Sequence, residues 1–143
     1  MTAPRSRKEK VQYDKYQATV DKSQCSFCHL KENGEQVVTE TASFQVVRNL
    51  FPYSIWDGQR VVDHLMVVPN LHTDSLSNLA PSVASEFLRV ISDYERQGYN
   101  VYARAPGSHM KSIAHQHTHL IKTVDLPKKF LLLLRKPYIR VTF

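Results

Sequence analysis

His115, His117 and His119 are separated by single residues, Gln116 and Thr118, and lead into the apolar pair Leu120-Ile121. On a β-strand successive side chains take opposite faces, so the spacing predicts three imidazoles on one face with Gln116, Thr118 and Leu120 on the other. Imidazole is the side chain whose unperturbed pKa lies nearest neutrality, so such a row offers a nucleophile, a proton donor or metal ligands. An isolated histidine, such as His29 or His109, is ordinarily a satisfied polar group. Internal alternation is not explained that way, nor by a purification tag, which would be contiguous and terminal. The spacing leaves both nucleophilic chemistry and a three-histidine metal site open.

Cys25 and Cys28 are the only cysteines and stand as C-x-x-C. At that spacing both thiolates can converge on one ion, and two nitrogen ligands would complete a tetrahedral structural zinc site. His72, after the apolar segment Leu65-Met66-Val67-Val68-Pro69, and His115 are the candidates for those ligands. The competing readings are a thioredoxin-like redox pair, which lacks a surrounding βαβ pattern, and a disulfide, which does not suit a chain with an intracellular look.

The elements that must position these residues fit one α+β domain. At 143 residues the chain can bury a real core without disulfide staples. The amino terminus, Met1 to Lys10, is polar and basic with no apolar segment behind it. The longest apolar run, Phe130 to Leu134, is far below the ~20 residues a bilayer requires, so cytoplasmic residence is the expectation. A formal charge of +6 and a pI of about 9.4 suggest affinity for anions without choosing among nucleotides, nucleic acid and an ordinary basic surface. Strands are expected at Phe44 to Val47, Val61 to Val68, Tyr99 to Ala103, His117 to Val124 and Tyr138 to Phe143, with a long turn through Pro52 and Gly58. The main helix is expected from Pro81. Val83, Phe87, Val90, Ile91 and Tyr94 recur at helical spacing, and Gly98 is placed to end it. A weaker helix is expected around Val11 to Val20. The whole is expected as an antiparallel sheet carrying one major helix.

At these residues the chain resembles the histidine triad family. His115-Gln116-His117-Thr118-His119-Leu120-Ile121 is similar to the family's signature, with Gln116 and Thr118 more polar than the usual fillers. His64 through His72 resembles its strand and turn, Asn49 through Tyr53 its nucleotide-side segment, and Asn100 through Ser112 its approach to the triad. The resemblance spans roughly Cys25 to Thr123 and is nearest a zinc-containing C-x-x-C subgroup that includes diadenosine polyphosphate phosphorylases and hydrolases. It implies residues 1–20 as a basic extension, partly helical, and residues 21–143 as the domain.

The resemblance implies His117 as the nucleophile on an α-phosphorus, giving a nucleotidyl-histidine intermediate. It implies His119 as a partner of phosphate oxygens or of proton transfer, and Ser112 as a hydroxyl facing the phosphate or leaving group. His115 is implied to position the nucleophile through its backbone carbonyl, while its side chain could join Cys25, Cys28 and His72 on zinc. Asn49, Asn100 and Lys111 are the candidate substrate-binding residues. Homodimerisation and a nucleotide substrate follow from the same resemblance.

Two departures bear on substrate. Lys111 stands where many triad hydrolases have glutamine, and Ser54 to Asp63 is longer than the subgroup's usual turn, carrying Trp56, Asp57, Gly58, Gln59 and Arg60. The leading expectation is a nucleotidyl hydrolase or transferase acting on dinucleoside polyphosphates. The alternatives are a nucleoside phosphoramidate hydrolase, a non-catalytic nucleotide- or nucleic-acid-binding module, and an enzyme with metal on all three histidines.

Overall fold

The structure, a computed structural model, describes Arg5 and residues 7–21, 23–30, 36–124, 131–135 and 138–142. In chain order these hold α1 (Arg7–Thr19), β1 (Val37–Glu40), β2 (Phe44–Arg48), β3 (Ile55–Trp56), β4 (Gln59–Pro69), α2 (Pro81–Arg96), β5 (Asn100–Ala103), β6 (Thr118–Thr123), β7 (Leu131–Arg135) and β8 (Tyr138–Thr142). The expected α+β class is observed: β1-β2-β4-β6-β5 form one antiparallel sheet, with β3 paired to the start of β4. β7 and β8 pair as a separate antiparallel ribbon.

Leu65, Met66 and Val67 pair with both β2 and β6, Val68 pairs with β2, and all four are buried. A strand covered on both faces reads as a continuous apolar run, which is why alternation is lost there. One face, with Phe44, Val46, Leu65, Val67 and Leu120, packs against Phe87 and Val90 of α2. The other carries Val47, Met66 and Val68, with Leu30 and the half-buried Phe27 over them.

α2 starts on Pro81 and ends where Gly98 turns to φ +86. There the Gly98 N–H donates to Glu95 O and the Tyr99 N–H to Tyr94 O, the paired bonds of a Schellman cap that favour glycine at this position.

The long turn expected through Pro52 and Gly58 is partly a hairpin. Trp56 pairs with Gln59 across a two-residue Asp57-Gly58 loop, both at positive φ, so β4 begins at Gln59 and not at Val61. Asp-Gly in such a loop is the usual solution for matching strand twist. β1 and β7 were not expected from the sequence, and Phe143 lies outside the described residues. β6 begins at Thr118, so His115 and His117 precede the strand and the expected single row of imidazoles is broken.

Candidate active site and metal centre

Register fixes one end of the site. Val47, Met66, His119 and Tyr102 lie opposite one another in sequence across β2, β4, β6 and β5. Directly opposed residues share a face, so His119 joins the face away from α2 while Leu120, one residue on, enters the α2 core. That face borders a cavity of about 860 Å³ whose lining includes Phe27, Phe51, Ser112, His117 and His119. The volume is within the range of small-molecule sites.

Hydrogen bonds set which nitrogen of each imidazole is free. His117 Nδ1 lies 2.9 Å from the His115 carbonyl oxygen, which only accepts, so Nδ1 carries the hydrogen and Nε2 keeps its lone pair. The reverse holds at His119. The Tyr53 N–H donates to His64 Nδ1 at 3.1 Å, which places the His64 hydrogen on Nε2. His64 Nε2 lies 2.9 Å from His119 Nδ1 and 3.2 Å from the Asn49 carboxamide nitrogen, which is itself a donor, so the Nε2 hydrogen goes to His119 Nδ1 and the His119 hydrogen is left on Nε2. The cavity therefore meets a basic nitrogen from His117 and an N–H donor from His119, whose rings are 5.1 Å apart.

Burial keeps these rings neutral. It pushes His119 down to about 2, with His64, His117, Arg104 and Arg5 adding repulsion, and lowers His117 as well. His64 is pushed down to about 3, again chiefly by burial, with Arg5 next. The relay behind His119 ends in the Tyr53 backbone amide and the Asn49 carboxamide, neither of them an acid, so it orients a donor.

His115 faces elsewhere. Its Nε2 donates to Pro69 O at 3.1 Å, so Nδ1 is the free lone pair, and it lies 3.4 Å from Cys25 Sγ and 3.6 Å from Cys28 Sγ. His72 Nδ1 is 3.3 Å from Cys28 Sγ, and the four ligand atoms of Cys25, Cys28, His72 and His115 fall within 4.8 Å of one another. A tetrahedral zinc with ordinary Zn–S and Zn–N bonds needs nitrogen-to-sulfur separations of about 3.5 Å, so the donor set fits the ion in type and in spacing.

Ser112 and Asn49 line the cavity, and the Asn49 carboxamide oxygen accepts the Phe51 N–H at 2.9 Å. Two other candidates sit elsewhere. Asn100 begins β5 and donates to Ile121 O, outside the cavity lining. The Lys111 ammonium donates to Asp74 O at 3.0 Å and Gln116 Oε1 at 2.9 Å, tying the approach to the triad onto the neighbouring loop. It too is outside the lining.

Sequence reasoning assigned no role to His64, Tyr53, Tyr102, Arg5 or Arg104. For His64 a signal existed: it is a polar residue opening the buried run of β4, at the same alternation as Met66. Arg5 has no local signal, because α1 reaches the cavity by tertiary packing. Tyr13 and Tyr16 meet the Phe51 ring with centroids at 5.4 and 4.9 Å. Arg5 Nε donates to Phe51 O at 3.1 Å, and Ser54 donates to the Glu9 carboxylate.

The fold is similar to that of solved histidine triad proteins. A histidine triad protein from Clostridium difficile matches with a TM-score of 0.55 and 24% identity, over 76% of this chain and 98% of that one. A HIT family hydrolase from Clostridium thermocellum matches at 0.55 and 17% identity, over 79% of this chain and all (100%) of that one. A zinc-bound histidine triad family protein from Mycobacterium smegmatis matches at 0.54 and 19% identity, over 72% and 77% of the two chains. No family model and no curated protein matches the sequence.

Proposed function

We propose that the protein is a nucleotidyl hydrolase or transferase of the histidine triad type, acting on dinucleoside polyphosphates through a nucleotidyl-His117 intermediate. The observation that carries the reading is that Nδ1 of His117 and Nδ1 of His119 are both engaged, by an acceptor and a donor respectively, which leaves a lone pair on His117 Nε2 and an N–H on His119 Nε2 for the cavity both residues line. His117 Nε2 attacks the α-phosphorus, an N–P bond forms, and the bond to the bridging oxygen breaks with its electrons leaving on the departing phosphate chain. The His115 carbonyl accepts from His117 Nδ1–H throughout, favouring the positive charge that develops on the ring. His119 Nε2–H and the Ser112 hydroxyl donate to phosphate oxygens as charge builds on them. Water or another acceptor then bonds to phosphorus, the N–P electrons return to His117, and water yields the nucleoside monophosphate with release of a proton.

Zinc on Cys25, Cys28, His72 and His115 would supply a structural link and no reacting group. It would tie the Cys25–Cys28 loop to the segments that carry His72 and His115, and so would help fix the His115 carbonyl that orients His117. A homodimer along the open edge of β5, where Val101 is exposed, belongs to the same reading. The test of the reaction is intact-protein mass spectrometry after rapid quench with a dinucleoside tetraphosphate. A nucleotidyl adduct mapping to His117 is expected, and its absence, with no turnover of any dinucleotide offered, overturns the reading.

A further inference from the structure

His119 lies between two tyrosines, with centroids 5.5 Å from Tyr53 and 5.9 Å from Tyr102. Each tyrosine carries a guanidinium. Arg5 is 5.2 Å from the Tyr53 centroid and 4.3 Å from that of Tyr13, and Arg104 is 5.4 Å from that of Tyr102. Trp56, on the hairpin at Asp57-Gly58, backs both tyrosines, stacked 6.0 Å from Tyr53 and tilted 4.9 Å from Tyr102. Two cation–aromatic pairs thus flank one imidazole, braced by one indole.

Both guanidiniums line the cavity with His117 and His119, and neither is ion-paired to a carboxylate among the described residues. Among the described residues the lining has no Asp or Glu, while Arg48 adds a third guanidinium. Both guanidiniums are half-buried, and a cation that faces a cavity without a carboxylate partner is a natural counterpart for an anion. Aromatic faces hold a guanidinium in place while leaving its N–H edges free to donate.

We infer that Arg5 and Arg104 form a clamp for the polyphosphate portion of the donor, the chain expelled when His117 attacks, and that Trp56 is the positioning residue that fixes their spacing. The inference rests on the reaction proposed above and names the group that leaves. The relay behind His119 fits it. A polyphosphate departs as an anion and needs charge stabilisation, which guanidiniums supply, whereas an amine leaving group must gain a proton, which a relay ending at the Tyr53 amide does not supply.

Isothermal titration of the zinc-loaded full chain with inorganic tripolyphosphate and with orthophosphate tests the clamp. Wild type is expected to bind tripolyphosphate roughly 100-fold more tightly than orthophosphate, one factor of about ten for each guanidinium. Arg5→Ala and Arg104→Ala should each weaken tripolyphosphate about tenfold, Arg104→Lys by less, and Arg96→Ala on α2 not at all. Trp56→Ala should weaken it and Trp56→Phe restore most of the loss, with melting curves confirming that each variant is folded. Equal affinity of wild type for the two anions, or arginine variants that bind tripolyphosphate as wild type does, overturns the clamp. Tripolyphosphate cannot donate a nucleotide, so the two readings fail separately. Intact binding without a His117 adduct sinks the reaction alone, and an adduct without arginine-dependent binding sinks the clamp alone.

Discussion

His115 and His117 stand two residues apart and are both buried, yet they present opposite nitrogens to opposite sites. At His115 the Pro69 carbonyl takes the Nε2 hydrogen and Nδ1 is left for the thiols; at His117 the His115 carbonyl takes the Nδ1 hydrogen and Nε2 is left for the cavity. One side-chain chemistry is offered to the thiols in one place and to the cavity in the other, and the position of a backbone carbonyl makes the choice. The two regions are also joined. The residue whose ring faces the cysteines supplies, through its main chain, the acceptor that orients the neighbouring imidazole.

The division is broken most severely at His117, the proposed nucleophile. His117→Ala should reduce nucleotidyl transfer by roughly four orders of magnitude or more, since loss of a covalent nucleophile removes the two-step path altogether. Zinc content should stay at that of wild type, because the His117 ring is not in the ligand cluster. Quench-flow turnover beside elemental analysis measures both. A parallel loss of zinc would show that the two regions are one site.

Cys25→Ser and Cys28→Ser strike the other region. Each should lower bound zinc and reduce the melting temperature by roughly 10 °C, as binding free energy at a structural metal is folding free energy. Wild type should carry about one zinc per chain. Activity should fall less than in His117→Ala, through misplacement of the His115 carbonyl. Cysteine variants that keep full metal content would move the ligands to the three histidines.

How far the sequence reached follows the same division. That Cys25, Cys28, His72 and His115 come together was legible because C-x-x-C and a histidine after a strand are local patterns, and α2 because five apolar residues keep its period. Strand alternation predicted one histidine row, and it failed because His115 and His117 lie before Thr118, where side-chain direction follows loop hydrogen bonds, not pleat. Asn100 and Lys111 were placed by resemblance of a segment, whereas their side-chain partners are tertiary: the Ile121 carbonyl holds one, and Asp74 O with Gln116 Oε1 the other, and neither residue lines the cavity. The Trp56 hairpin carried a recognisable Asp-Gly turn, but that its indole meets Tyr53 and Tyr102 depends on contacts no local pattern encodes.

The cavity region should also be the acid-sensitive one. His64 and His119 are held to about 3 and about 2, so the folded protein binds fewer protons than the unfolded chain below the ordinary histidine value of 6.5. Their contribution to stability is fully present above pH 6.5 and is lost progressively as pH falls toward 3. Urea denaturation from pH 7.5 to 5 should therefore show a falling midpoint, less steep in His64→Gln. A midpoint that is flat across that window would mean that these rings are protonated in the fold.

The smallest effect is expected at Lys111, where sequence position alone suggested a hand on the leaving group. Its ammonium instead joins Asp74 O to Gln116 Oε1, and the residue is not among those that line the cavity. A glutamine there can still donate one hydrogen bond through its amide, so Lys111→Gln should cost about 1 kcal/mol of stability. Turnover should change by less than about threefold, by the same factor for a dinucleoside polyphosphate and for a phosphoramidate, because half-exposed charges outside the lining are screened by solvent. The measurement is kcat/KM on both donors, with and without added phosphate. If Lys111→Gln lowers only the polyphosphate reaction, or only the phosphate-accepting one, the ammonium reaches the departing or incoming anion. The clamp would then extend past the arginines to the triad's own approach.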